Sequence, residues 1–401
     1  MHIYSVKKNS LNAASLNPTN IIHSSHNYSI AKTPMISTET NNYYFLQLSP
    51  KVRDLSWLKN KGLIHDYKAG EFAIIEPKNK ETLIDIASYI HRASGQCGAL
   101  QKLSSQPLSA NQELPKPLII GKNNFVNTVL SGASPNNILQ NINAMVSWGT
   151  RFEGDPQGAM AGNRLKDLYQ KYIPESRKDV ELELVPHKGS SQKSLIARII
   201  GSTQASDIII LGSHLDSINP KDNKNAPGAD DNASGTSTNL EVFRLLMANN
   251  VKPKKTIEIH AYAAEEIGLV GSGEIADSYK MNGINVIAMV QFDMNGFSKD
   301  GKNKLFFVSN GTSKDLTQTL GELTDTYLSV PWSTRPLLFG SSDHAAWAKR
   351  GYPVAFPTEN PFAFNRKIHT ADDKTQHINQ PEQMATYAKL GVAYLMHLSG
   401  F

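Results

Sequence analysis

Four stretches of the sequence set acidic side chains beside histidines or beside one another: Gly-Ser-His214-Leu-Asp216-Ser, Pro-Gly-Ala-Asp230-Asp231-Asn232-Ala-Ser-Gly, Ala-Glu265-Glu266, and Asp293 after an apolar run. A pair of divalent ions about 3.5–4 Å apart needs one carboxylate to bridge them, a further carboxylate or imidazole on each, and room for a water between. His214, Asp231, Glu266, Asp293 and a late histidine could supply that set. Three carboxylates and one hydroxide neutralise two divalent ions, which suits a cleft of low dielectric. Glu265, adjacent to a ligand position yet spare, has the chemistry of a general base. Asp216, two residues beyond His214, is suited to accept the other ring N–H and so fix the tautomer. A single His-x-Asp pair carries little weight; the joint occurrence carries the argument.

The elements around these residues explain why they should converge. Strand-like runs at 207–211, 256–263 and 286–292 each lead directly into one of the motifs, and the Asp230-Asp231 segment lies between a strand and a helix at 238–248. In an open α/β sheet the ligand crevice lies outside the carboxyl ends of the strands, so the motifs meet in one place. Further strands are expected at 194–200, 305–308 and 354–356, and helices within 119–152 and at 272–280, 316–327 and 382–397. The fold class expected is therefore α/β, a mostly parallel twisted sheet with helices on both faces.

Ahead of this region stands a different pattern. Residues 1–39 are polar, rich in Asn, Ser, Thr and His, and are expected to be disordered. Residues 40–103 read as a small α+β unit: a strand at 43–48, a short helix at 52–61, a strand or hairpin at 63–75, and a helix at 80–93 with Leu83, Ile86 and Ile90 on one face. Residues 104–117 concentrate Ser, Gln and Pro and read as a linker to the main domain, 118–401.

Composition narrows the classes. The 401 residues carry a formal charge of only +5 with no basic stripe, which argues against nucleic acid as a partner, and no window approaches a membrane-spanning length of apolar residues. Cys97 is the single cysteine, so an intrachain disulfide, a cysteine-rich zinc module and a C-x-x-C redox pair are excluded, and packing is its expected role. No G-x-S-x-G elbow or H-E-x-x-H helix is present. The N-terminus lacks the apolar core of a secretory signal, so composition leaves the compartment open.

The strings SHLDS, APGADDNASG, AAEEIGLVGS, QFDMN, SSDHAAW and KIHTADD, in this order from about residue 125 to the C-terminus, resemble those of the bacterial secreted leucyl aminopeptidases, the co-catalytic two-zinc metallopeptidase family. The resemblance implies two Zn2+ ions per chain, with His214 and Asp293 on one, Glu266 and His369 on the other, and Asp231 bridging. It implies Glu265 as the general base, Asp216 as the partner of His214, and a cis bond between Asp231 and Asn232. It further implies peptide or protein N-termini as substrates, with Leu or another apolar residue removed through a water shared by the ions, and a secreted monomer. Residues 40–103 resemble the propeptide of such zymogens, a chaperone and inhibitor removed by an activating protease.

The chain departs from those relatives in one loop: Phe339 stands where they carry a tyrosine, and Leu337 and Ser341 where they carry two cysteines. By register Asp230 is a hydrogen-bonding neighbour of the bridge, Asp343 and His344 buttress the site, and Phe362 and Phe364 are candidates for a side-chain pocket or ordinary packing. His187, His260, His377 and His397 have no companion carboxylate motif and are expected to be structural or solvated. Two rival readings remain: a glutaminyl cyclase-like single-zinc acyltransferase on the same fold, and a non-catalytic binding domain. The intact Glu265 and ligand positions speak against the second.

Overall fold

The structure, a computed structural model, describes residues 3–7, 21–24, 28–32, 43–48, 55–68, 72–94, 99–103, 114, 120–338 and 340–401. Cys97, Phe339 and all of the expected linker except Leu114 lie outside the described residues.

The main domain is organised by strand Gln204–His214, whose run Ile208 to Leu211 is buried on both faces, as the interior strand of a parallel sheet must be. It pairs in parallel with Lys255–Tyr262 on one side and Asn285–Gln291 on the other, and Asn285–Gln291 pairs in parallel with Val354–Ala355. Beyond Lys255–Tyr262 the sheet turns antiparallel through Ser190–Ile199 and the edge strand Val180–His187. The six-stranded sheet is thus mixed, with its parallel part where the motifs lie. Outside the expectation was the edge strand Val180–His187: its burial alternates only partly, and its sequence carries Glu181 and Glu183 on the exposed side. Helix Ala161–Gln170 was likewise not foreseen.

Helices cover both faces. On one, Gly235–Ala248 and the C-terminal helix Pro381–Ser399, which starts with Pro at a position where a missing N–H costs nothing, join Asn124–Ser131 and Pro135–Val146 in the largest apolar cluster. On the other, helices Val270–Met281 and His344–Lys349 bring Ile275, Ala276 and Trp347 against Ile208, Ile210 and Met289. The stretch 119–152, read as helical, divides at Gly132, and Ser134 caps the second helix by accepting the Asn137 N–H at 3.3 Å. A small sheet of Trp332–Arg335, Leu305–Val308 and Pro357–Thr358 completes the domain.

The unit read at 40–103 is an antiparallel four-stranded sheet, ordered Ile64–Lys68, Phe72–Ile75, Tyr44–Gln47, Leu100–Lys102, with helices Ser56–Asn60 and Lys80–Ser94. Helix Lys80–Ser94 is opened by Asn79, whose side chain accepts from the Thr82 N–H at 2.9 Å. Its apolar face, Leu83, Ile86 and Ile90, shares one core with Phe152, Ile218, Ala263, Ala264, Ile267 and Val270 of the main domain. Within 1–39, where no regular structure was expected, strands Ile3–Lys7, Ile21–Ser24 and Tyr28–Lys32 pair as a three-stranded antiparallel sheet.

Candidate active site

His214 is the last residue of strand Gln204–His214; Glu265, Glu266 and Asp293 stand just past the ends of the two flanking strands. Asp231 comes from the turn leading into helix Gly235–Ala248, and the peptide bond Asp231–Asn232 is cis. His369 comes from a loop and holds φ at 57°, in the left-handed region. All six are buried, His369 the most exposed at 8%.

The arrangement is built around Asp231, whose two oxygens face two different imidazoles. Oδ1 lies 3.0 Å from His214 Nε2, which is 3.4 Å from Asp293 Oδ1. Oδ2 lies 2.9 Å from His369 Nε2, which is 3.4 Å from Glu266 Oε2. Two donor atoms each about 2.0–2.1 Å from a tetrahedral zinc ion are about 3.3 Å apart, so each of these imidazole–carboxylate pairs has the spacing of two ligands on one ion. Both carboxylate oxygens of Glu265, both of Glu266 and Oδ1 of Asp293 are buried without a hydrogen bond among the described residues. Orphaned carboxylate oxygens of this kind are costly unless a cation neutralises them, and the nitrogen and oxygen donors suit zinc.

Electrostatics point the same way. Burial raises the carboxyls of Glu265 and Glu266 well above the usual range, and Asp231 adds to the effect on Glu266. Burial opposes charge on His214, yet the facing Asp293, Asp216 and Asp231 outweigh it and raise its pKa. Burial likewise works against ionised Asp231, but His214 and His369 hold its pKa low. The cluster therefore favours positive charge at its centre.

Behind the first set of side chains, a second set fixes their backbones. Asp216 accepts the N–H of Glu265 at 2.9 Å and of Glu266 at 3.1 Å. His214 Nδ1 lies 3.2 Å from the Asp216 backbone oxygen and 3.5 Å from its carboxylate, so Asp216 orients the imidazole by both groups. Asp230 is the neighbour that its register implied: its oxygens accept from the Gly296 N–H and the Asn365 side-chain amide, both at 3.0 Å. Gly228 precedes it at φ 53°, where an added Cβ would fall 2.4 Å from the Asp231 carbonyl oxygen and 2.5 Å from Ser217. Asp343 accepts from Gln291 Nε2 at 2.9 Å, and His344 stacks on Phe356 with ring centroids 4.6 Å apart. Phe362 is 48% exposed and Phe364 lies under the Arg366 guanidinium, so neither is buried in a pocket. Of the histidines set aside, His187 pairs with Ser194 at 2.6 Å and His260 with Glu258 at 2.9 Å, both away from the centre.

Four contributors escaped the sequence reading. Asp373 accepts the backbone N–H groups of Asp230 and Asp231, each at 3.0 Å, and its place at the end of KIHTADD was the available signal. Ser342 donates to Asp293 Oδ2 at 2.6 Å. Arg151, fully buried, donates to the carbonyls of Leu215, Pro227 and Gly228 and ties the Asp231 turn to the strand end. The fourth is His91, on helix Lys80–Ser94 of the N-terminal unit. Its Nδ1 lies 3.1 Å from His369 Nδ1 and its Nε2 lies 2.9 Å from the Glu266 carbonyl oxygen.

Comparison with known proteins accords with this geometry. The model of peptidase family M28 matches residues 194–393. The chain is 30% identical over 329 residues to a probable leucine aminopeptidase of Trichophyton verrucosum, covering 79% of this chain and 84% of that one. It is 33% identical over 307 residues to leucine aminopeptidase 1 of Emericella nidulans, covering 73% and 78%. Among solved structures, the LapA aminopeptidase of Legionella pneumophila superposes with a TM-score of 0.74 at 26% identity, over 91% of this chain and all of that one. A glutaminyl cyclase of Bacteroides thetaiotaomicron shares the fold at a TM-score of 0.51 and 17% identity, over 66% of this chain and 97% of that one.

Proposed function

The chain belongs to peptidase family M28 and is a metallo-exopeptidase, and from that premise we propose that it removes N-terminal residues, Leu or another apolar one, using two zinc ions. The observation that supports this reading best is the position of Asp231, with one oxygen toward His214 and the other toward His369. His214 and Asp293 would hold one ion and Glu266 and His369 the other, with Asp231 shared. When bound, the ions supply Lewis acidity that polarises the scissile carbonyl and makes water a competent nucleophile near neutral pH.

The chain's own groups do the rest. Glu265, buried and without a hydrogen bond to either oxygen among the described residues, takes the proton from the attacking water and returns it to the leaving amine. Asp216 holds the Glu265 and Glu266 backbones against His214, so that base and ligands keep one geometry. A single-zinc cyclase would leave one of the two histidine-carboxylate sets without a role.

The N-terminal unit fits an inhibitory propeptide. In the chain that carries this unit Glu265 is 0% exposed and Glu266 2%, and the unit's His91 lies against Glu266 and His369. Secretion as a zymogen, activation by a protease cutting in 104–117, and action as a monomer belong to the same reading. The test is an assay of the zinc-loaded protein, with residues up to the linker removed, against a panel of aminoacyl-anilides. Rapid release from leucyl-anilide, and none from an N-acetylated counterpart, is expected; cyclisation of N-terminal glutamine without anilide hydrolysis would overturn it.

A further inference from the structure

Helix Lys80–Ser94 does more than lie over the site, because His91, one of its buried polar side chains, touches a proposed metal ligand at the ring nitrogen that does not face Asp231. His369 presents Nε2 to Asp231 and Glu266, leaving Nδ1 to face His91. His91 is 5% exposed, and its ring crosses that of His369 edge-on, with centroids 4.3 Å apart and planes at 82°. Its two nitrogens have two separate tasks. Nε2 lies 2.9 Å from the backbone oxygen of Glu266, an obligate acceptor, so Nε2 carries the proton. Nδ1 is then a lone pair, 3.1 Å from His369 Nδ1, which must be the donor.

We propose that His91 is a positioning residue for the metal centre: by accepting the His369 Nδ1–H and donating to the Glu266 carbonyl, it fixes His369 as the Nε2-binding tautomer and ties the N-terminal unit to both ligands of one ion. The unit therefore completes one half of the site that it covers. Metal-binding histidines almost always have such a partner for the second nitrogen, and His91 stands in that place beside His369. Docking and metal binding are then reciprocally coupled: occupancy of the Glu266–His369 position holds the unit down, and the docked unit raises affinity at that position by the same factor. The other position, at His214 and Asp293, has its own outer partner in Asp216.

The inference rests on the two-zinc reading, and the experiment separates the two. Zinc is titrated into the metal-depleted full-length chain against a chromophoric chelator, for the wild type, His91→Leu and His91→Gln. Leu fills the space with neither hydrogen bond, whereas Gln keeps one donor and one acceptor. Loss of an outer partner typically weakens metal binding about 10–100-fold. His91→Leu is expected to lower one of the two affinities by that factor and leave the other unchanged, while His91→Gln stays nearer the wild type. At saturating Co2+ all three chains should show the same visible absorption, since the donor atoms on the ion are unchanged. Equal affinities in Leu and wild type would overturn the inference alone. So would an equal fall in Leu and Gln, which marks packing, or an altered Co2+ spectrum in Leu, which makes His91 a direct ligand. A wild type that binds a single ion would overturn the functional reading and this inference together.

Discussion

The carboxylate of Asp373 grips the backbone of Asp231: its Oδ2 accepts the Asp231 N–H at 3.0 Å while its Oδ1 accepts that of Asp230 at the same distance. Both residues are buried, so the bridge is aimed by a group that never faces solvent. Replacing Asp373 by Ala should weaken binding of both ions by about 10–100-fold, because the shared carboxylate loses its anchor. Chelator competition on the purified variant measures this, and loss of only one ion would show that Asp231 does not bridge.

Glu265→Gln should lower kcat by roughly 10²–10⁴ while both ions remain bound, since the amide keeps the shape but cannot take a proton. Turnover of leucyl-anilide beside elemental analysis of the same sample checks it. A variant that loses an ion would make Glu265 a ligand instead.

Four of the five proposed ligands were legible because each lies at or just past a strand end or just before a helix, where short motifs stay contiguous in sequence; His369, in a loop, was named only through the resemblance of KIHTADD. Their anchors were less so. Ser342 and Arg151 reach the site across 49 and 64 positions, to Asp293 and Leu215, and nothing local marks a serine or arginine for that task. His91 was hidden for another reason: on helix Lys80–Ser94 it sits next to Ile90 in the apolar pattern, where a histidine reads as ordinary packing. The edge strand Val180–His187 escaped because exposed acidic residues blur its alternation.

Cutting within 104–117 should raise peptidase activity only as the N-terminal unit departs. Its core is continuous with Ile218, Ala263 and Ile267, so a nicked chain holds the unit until it dissociates. Activity followed after the cut, alongside size-exclusion separation of the two pieces, should rise with release. Full activity in a nicked, still associated chain would contradict inhibition by occlusion.

Acid should loosen the same interface. Lys102 of the N-terminal unit pairs with Glu274 of the main domain at 3.1 Å. Burial pushes the Glu274 carboxyl up, but His187 and Lys102 outweigh it and bring its pKa from the ordinary 4.5 down to about 2. A depressed carboxyl stabilises fully above its ordinary pKa and loses that contribution as pH falls through the folded value. Only the Lys102 part of that depression is lost when the unit leaves, since His187 stays with Glu274, so docking should weaken as pH falls toward 2, and Lys102→Ala should remove that dependence. Release of the nicked unit against pH measures it; weakening on alkalinisation instead would contradict the assignment.

The central claim is that one buried carboxylate joins two metal positions, and metal stoichiometry tests it most directly. Elemental analysis of the full-length chain, depleted and reloaded with zinc and freed of excess, should give two ions per chain, and Asp231→Ala should reduce both. One tightly held ion per chain, with Asp231→Ala retaining it, would contradict the account.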